Sequence, residues 1–237
     1  MPWDFWLIFL VLATVIPWRG RVRLQHLLSQ PAFGTTEKLV LYGTTIGFQW
    51  ILLGVVAWRA LSHGLSLGEL GLARGFDVSV LVWSVIGALA VGAFQWFNLR
   101  RLGKTTGSVP ELMRKLSERL LPKTSVEFAP YAALAVTAGV CEEFVYRGFV
   151  MAALSKAGLA GGVVLIVSSL MFGLAHAYQG RSGIVGTTLM GFLFGLGRLA
   201  TVSLLPAMIW HAIVDLVAGV AGPRFLLKPS SATVTHL

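Results

Sequence analysis

Acid, base and hydrogen-bonding side chains fall in three short patterns inside otherwise apolar runs: Glu142, Glu143 and Arg147; Phe172 and His176; His211 and Asp215. A charged side chain at the centre of a membrane helix costs about 2.5 to 3.5 kcal/mol on insertion scales, so such residues need a reason. Glu143 and Arg147 are four apart and stack on one helical face, where opposite charges pair, while Glu142 points about 100° away and stays free. His211 and Asp215 share the fourfold spacing, as do Phe172 and His176. Three helices bringing such groups together would build one polar pocket in a bundle core. A carboxylate and a histidine in a low-dielectric cavity are suited to take a proton from water and return it to a leaving amine. Cys141 adjoins Glu142 but reads as an inert buried thiol, because neighbouring carboxylates disfavour the thiolate.

The elements that must position these residues are transmembrane helices. Of the 237 residues, 56% are hydrophobic and 12% charged, where a soluble domain has roughly 25% charged. Disorder is excluded by the hydrophobicity, and a disulfide scaffold by the single cysteine. Eight Trp and 14 Phe suit a chain that meets both hydrocarbon and headgroups. A spanning helix needs about 20 apolar residues, and such runs extend approximately over Pro2–Trp18, Leu39–Trp58, Val78–Phe97, Tyr131–Leu154, Leu159–Tyr178, Gly183–Gly197 and Ala200–Ala221. The sixth is short and Gly-rich, which suggests a broken or tilted segment. The first carries Asp4 ahead of its apolar run and Arg19, Arg21 and Arg23 behind it, and reads as a retained span rather than a cleaved signal.

The fold class is therefore an all-α polytopic transmembrane helix bundle of about seven spans. Most of the 19 Lys and Arg residues fall in the loops on one side, including Arg19 to Lys38, Arg100 to Lys123, Arg181, Arg224 and Lys228. Cytoplasmic loops carry such an excess, which puts the N-terminus out and the C-terminus in. The basic excess thus reports topology and gives no support to nucleic-acid binding. Leu61–Phe76 reads as an interfacial segment. Pro110–Leu121 spaces Leu112, Leu116 and Leu120 as an amphipathic helix does, and is expected to rest on anionic lipid or, alternatively, to form a lip over an active site. Gly191 and Gly195 suit close helix packing, and His26, His63 and His236 read as solvated. The chain divides into a variable N-terminal half, residues 1–125, a helical core, 126–222, and a short polar cytoplasmic tail, 223–237.

Taken together, Glu142-Glu143-Phe-Val-Tyr-Arg147, Phe172-Gly-Leu-Ala-His176 and His211-Ala-Ile-Val-Asp215 match the motifs Glu-Glu-x-x-x-Arg, Phe-x-x-x-His and His-x-x-x-Asp/Asn in that order. The arrangement resembles the CPBP intramembrane proteases, the family of type II CAAX prenyl endopeptidases and of bacteriocin-processing or immunity proteins also called Abi. The resemblance spans roughly Tyr131 to Ala221, and it implies an integral-membrane endopeptidase. Glu142 and His176 would activate water, and His211 and Asp215 would stabilise the oxyanion. Glu143, Arg147 and Phe172 would support them. An ionised Asp215 cannot donate to an oxyanion, so an orienting role toward His211 is favoured for it.

The implied partners are the lipid bilayer and a peptide or protein substrate, prenylated or otherwise hydrophobic. The implied location is a bacterial cell membrane, with the active site facing the cytoplasm. No cofactor is expected. Zn²⁺ is the competing account, since two His and two Glu would supply ligands with an open position for water; against it, the His-Glu-x-x-His spacing of helical zinc proteases is absent and Arg147 is a cation beside the site. Other functions open to the same sequence are a non-catalytic immunity or regulatory membrane partner on this fold, and a transporter with an intramembrane proton relay.

Overall fold

Long runs of Leu, Val, Ala and Ile with little punctuation leave the backbone no partner but itself in hydrocarbon, and the chain accordingly forms helices. The computed structural model describes residues 1–30, 33–74, 77–104 and 110–227. Among the described residues eight helices follow one another: α1 (Trp3–Ser29), α2 (Thr35–Ser62), α3 (Val78–Lys104), α4 (Glu111–Leu120), α5 (Ser125–Lys156), α6 (Gly161–Ala175), α7 (Gly180–Thr201) and α8 (Leu205–Leu226). There is no strand among the described residues. Helix starts follow from local chemistry. The Glu37 carboxylate accepts from the Gly34 backbone N–H at 2.8 Å ahead of α2, and Thr124 caps α5 by accepting from the Glu127 N–H.

All of these except α4 and α6 are long and apolar enough to cross a membrane, α7 together with the 3₁₀ turn Ala177–Gln179 that leads into it. Two expectations shift in detail. The run expected to be broken, Gly183–Gly197, lies inside one continuous helix of 22 residues. The fifth run is the short one: α6 has 15 residues, about 22 Å at 1.5 Å per residue, against a hydrocarbon core of about 30 Å. It stops because His176 leaves helical geometry and turns its ring back onto the Phe172 carbonyl, 2.9 Å away.

Trp3, Trp6, Trp18, Trp50, Trp58, Trp83, Phe94 and Phe97 are exposed on the outside of the bundle. Apolar surface on that scale belongs against lipid, and the chain is an integral membrane protein. Inside, Phe5, Phe9 and Leu12 of α1 pack with Val56 and Ala60 of α2 and Phe149 of α5.

The connections gather at two ends. At one, Lys156 Nζ donates to the Gly64 carbonyl at 2.9 Å, Arg198 to the Glu69 carbonyl at 2.9 Å, and the Leu204 N–H to the Gly71 carbonyl at 2.9 Å. Asp4 there meets Arg59 at 2.6 Å and His63 at 3.0 Å. His63 therefore has Asp4 and Arg59 as neighbours rather than solvent alone, because the start of α1 brings a buried carboxylate to the end of α2. In the described part of the expected interfacial segment, Leu61 to Arg74, Leu65 and Leu70 are buried against protein while Leu61, Leu67 and Leu72 are exposed.

At the other end, Lys38 is buried and donates to the Leu121 carbonyl at 2.7 Å and to Glu127 at 2.9 Å. Tyr42 donates to the Leu120 carbonyl at 2.7 Å and Arg119 to the Gln30 carbonyl at 2.7 Å. Lys38 thus ties α2 to α5 in addition to adding to the basic count of its side. Of the tail expected from Pro223, the helix α8 continues to Leu226, and 228–237, with Lys228 and His236, lie outside the described residues.

Candidate active site

Glu142 and Glu143 stand at the last ordinary turn of α5 before its backbone widens into a π-helical segment, Phe144–Val150. Such local insertions often occur at functional sites. Glu143 and Arg147 both have no exposed side-chain surface, and Arg147 NH1 donates to Glu143 Oε1 at 2.8 Å. The same oxygen lies 2.8 Å from His211 Nδ1. A carboxylate oxygen accepts, so Nδ1 carries the hydrogen and His211 presents Nε2 away from Glu143. That nitrogen lies 3.7 Å from Asp215 Oδ2. Asp215 was expected to orient His211; in the structure the close partner is Glu143, and Asp215 stands beyond hydrogen-bond distance on the other side of the ring. The fourfold spacing on α8 puts Asp215 near the ring, but a carboxylate from a second helix reaches it first.

Phe172 organises the neighbourhood. Arg147 lies 4.3 Å over its ring, His176 packs at 4.7 Å between centroids, and His211 meets it edge-on at 5.7 Å. Phe194 stacks on the far face of the site against His211 at 5.4 Å. Gly191 leaves the space this needs, since a Cβ there would sit 2.6 Å from Arg147 NH2 and 3.0 Å from Phe172 Cδ1. The Gly-rich stretch of α7 thus serves the site as well as helix packing.

Glu142 points the other way, into a cavity of about 410 Å³. Its Oε2 is 3.8 Å from His176 Nε2. The Nδ1 of His176 faces the Phe172 carbonyl, which only accepts, so in the neutral ring Nδ1 holds the hydrogen and Nε2 offers its lone pair toward Glu142. Gln49 of α2 donates from Nε2 to Glu142 Oε1 at 2.7 Å. The carboxylate is therefore held by one oxygen and free at the other, with its side chain 23% exposed.

The cavity runs between α1, α2, α4, α5 and α8. Leu24, Leu27, Leu41, Leu52 and Leu134 make much of its wall apolar, Glu142, His176 and Asp215 line it on one side, and Arg19 and Arg23 contribute guanidinium groups. Arg19 lies 3.9 Å over the Phe48 ring, and Arg23 donates to the Leu41 carbonyl at 3.2 Å and to Thr44 at 2.8 Å. Leu116 and Leu120 of α4 also face this space. Two leucines of the apolar stripe of α4 thus face a cavity, the placement that the reading of this helix as a lip requires.

The sequence-derived residues thus form two adjoining groups. Glu142 and His176 lie in the open cavity, with Asp215 on its wall. Glu143, Arg147 and His211 make a buried trio behind them, packed on Phe172. Cys141 is buried, unpaired and at the cavity wall. Sequence reasoning missed Gln49 and Phe194. An amide within a run as apolar as Leu39–Trp58 was a usable signal, because an unsatisfied polar group in hydrocarbon costs several kcal/mol (roughly 2 to 7); a phenylalanine among apolar residues offers none. For a metal, among the described residues no group of three or more His, Cys, Asp or Glu side chains converges to hold an ion. Glu143 and the Nδ1 of His211 are engaged with each other next to the Arg147 cation and are not open to an ion.

Residues 124–217 match the family model described as type II CAAX prenyl endopeptidase Rce1-like. No curated protein matches the chain, and no solved structure does.

Proposed function

We propose, from the match of residues 124–217 to the type II CAAX prenyl endopeptidase Rce1-like family model and from the three motifs it contains, that this protein cleaves a peptide bond of a hydrophobic or prenylated substrate. Water would be activated by Glu142 and His176. The observation that carries the reading is the approach of Glu142 Oε2 to His176 Nε2, 3.8 Å, on the wall of a largely apolar cavity of about 410 Å³. A gap of that length exceeds a direct hydrogen bond and suits a water bridging the two. The proton leaves water for the pair as oxygen attacks the carbonyl, and the same pair returns it to the leaving amine.

His211 is the electrophilic partner. Its Nδ1–H is fixed by Glu143, and in the imidazolium form Nε2–H donates to the developing oxyanion. Asp215, near that nitrogen, supports the cation. The leucines of the wall take the apolar part of the substrate. Arg19 and Arg23 take its terminal carboxylate, which the acidic side of the cavity repels. Arg19 and Arg23 on the cavity wall, with the bonded Arg119 and Lys38, belong to the basic excess, which supports reading that end as the cytoplasmic one and the cavity as reached from it.

The test is cleavage of a C-terminally prenylated peptide by purified protein and by its Glu142→Ala and His176→Ala variants, each with and without a strong chelator. Activity is expected in wild type with chelator present and in neither variant. An active Glu142→Ala protein overturns the assignment. Loss in chelator that zinc alone restores overturns the metal-free mechanism, and phenotypic rescue of a deletion by Glu142→Ala overturns the enzyme reading in favour of a binding role.

A further inference from the structure

Gln49 belongs to α2, outside residues 124–217, and is only 8% exposed. Its side-chain amide is oriented without ambiguity. Nε2 lies 2.7 Å from Glu142 Oε1, and turning the amide over would set its carbonyl oxygen against a carboxylate oxygen, two acceptors with no hydrogen between them. In the orientation that remains, Gln49 Oε1 is buried and has no hydrogen-bond partner among the described residues. Leaving a buried acceptor unmade costs about 1 to 3 kcal/mol. An apolar side chain of the same size, such as Met, would fill this place at no such cost and would pack with Leu52 and Phe48 on the same wall. The arrangement therefore favours the state of Glu142 over the stability of the bundle.

We infer that Gln49 is a positioning residue, holding one oxygen of Glu142 so that the other faces His176. Without it the carboxylate is tethered only by its own three side-chain torsions, and both oxygens are free to turn along the cavity. The inference rests on the catalytic role proposed for Glu142. It also assigns a task to the N-terminal half: the motif-bearing helices supply the acid, the base and the oxyanion partner, and α2 fixes the angle between the first two. Stability given up at a site in exchange for geometry is a known trade-off.

The experiment compares Gln49→Met and Gln49→Glu with wild type and Glu142→Ala, measuring kcat and KM on the same prenylated peptide and the thermal unfolding midpoint in the same detergent. Met keeps the volume and removes the donor, and Glu keeps the shape but replaces a neutral amide donor by a second carboxyl that must compete with Glu142 for a proton. The expected result is a 10- to 100-fold fall in kcat per folded molecule, the range that displaced catalytic groups and lost supporting hydrogen bonds commonly give. KM is expected to stay within about twofold, and the midpoint of the Met variant to be no lower than wild type. Retention of wild-type kcat by the folded variants overturns the inference while leaving the proposed function standing. So does a rise in KM alone, which makes Gln49 a substrate contact, or failure of both variants to fold, which makes it a packing residue. An active Glu142→Ala protein is a different result and overturns the proposed function itself.

Discussion

Nδ1 of His211 lies 2.8 Å from Oε1 of Glu143. The orientation of an imidazole on the last helix is thus set from α5, by a carboxylate that Arg147 holds from its other side. One glutamate of the pair is committed to this buried trio, and its neighbour in sequence is left to the cavity. The two adjacent carboxylates do different work because one faces a cation and an imidazole while the other faces an amide and open space.

Glu143→Ala is expected to be the most destabilising change at the site. It leaves Arg147 buried and unpaired, and removing one partner of a buried ion pair costs about 3 to 5 kcal/mol. Glu143→Gln keeps an acceptor oxygen and the side-chain volume and is expected to lose less. Unfolding of the three proteins in detergent, followed by loss of helical circular dichroism, orders them as wild type, Gln, Ala.

Asp215→Asn is expected to retain activity within about tenfold of wild type, because the hydrogen bond that orients His211 comes from Glu143. Loss of activity equal to that of His211→Ala would instead require the Asp215 charge. The comparison is kcat for the two variants on one peptide at neutral pH.

The division of labour above was only partly legible in the sequence. Apolar run length announced the helical bundle, since backbone in hydrocarbon has few alternatives. Glu142, His176 and His211 stood out because ionisable groups are expensive there. Fourfold spacing paired Glu143 with Arg147 correctly, but it only brought Asp215 near His211, and the analogy with carboxylate-held imidazoles that made Asp215 its orienting partner could not point to Glu143. Spacing within a helix says nothing of a residue 68 positions away. Gln49 escaped because a search for charges passes over a neutral amide, and the early end of α6 escaped because the hydropathy of Leu159–Tyr178 runs on through the turn at His176.

Gly191→Ala tests how closely α7 must approach. A methyl group there meets Arg147 NH2 at 2.6 Å and Phe172 Cδ1 at 3.0 Å, so the guanidinium, held through NH1 by Glu143, must shift to admit it. Arg147 and Phe172 belong to the packing that backs His176 and His211. The expected cost is about 1 to 3 kcal/mol, as for other overpacked cores, together with a fall in kcat. The unfolding midpoint and kcat should fall together; a fall in neither would mean that α7 shifts away without consequence.

Arg19 and Arg23 carry the last prediction, which concerns substrate selection. Both are half-buried on the cavity wall, one helical turn apart, whereas Arg21 between them is exposed and does not line the cavity. Arg23 is bonded to the Leu41 carbonyl and Arg19 lies over Phe48, eight and one residues from Gln49. At 1.5 Å per residue along α2, the two cations flank the region from the level of Glu142 to about 12 Å away, a distance that three or four extended residues cover at about 3.3 Å each. A carboxylate that many residues beyond the scissile bond would reach Arg23. A hydrogen bond to a charged group contributes about 1.5 to 3 kcal/mol, and partial exposure reduces that by screening, so Arg23→Gln should raise KM by roughly tenfold with kcat little changed. Amidation of the peptide C-terminus should raise KM for wild type to a similar extent and add little in the Arg23→Gln protein. Arg21→Gln should alter neither. Equal KM for acid and amide peptides in wild type would remove the carboxylate from the recognition of substrate.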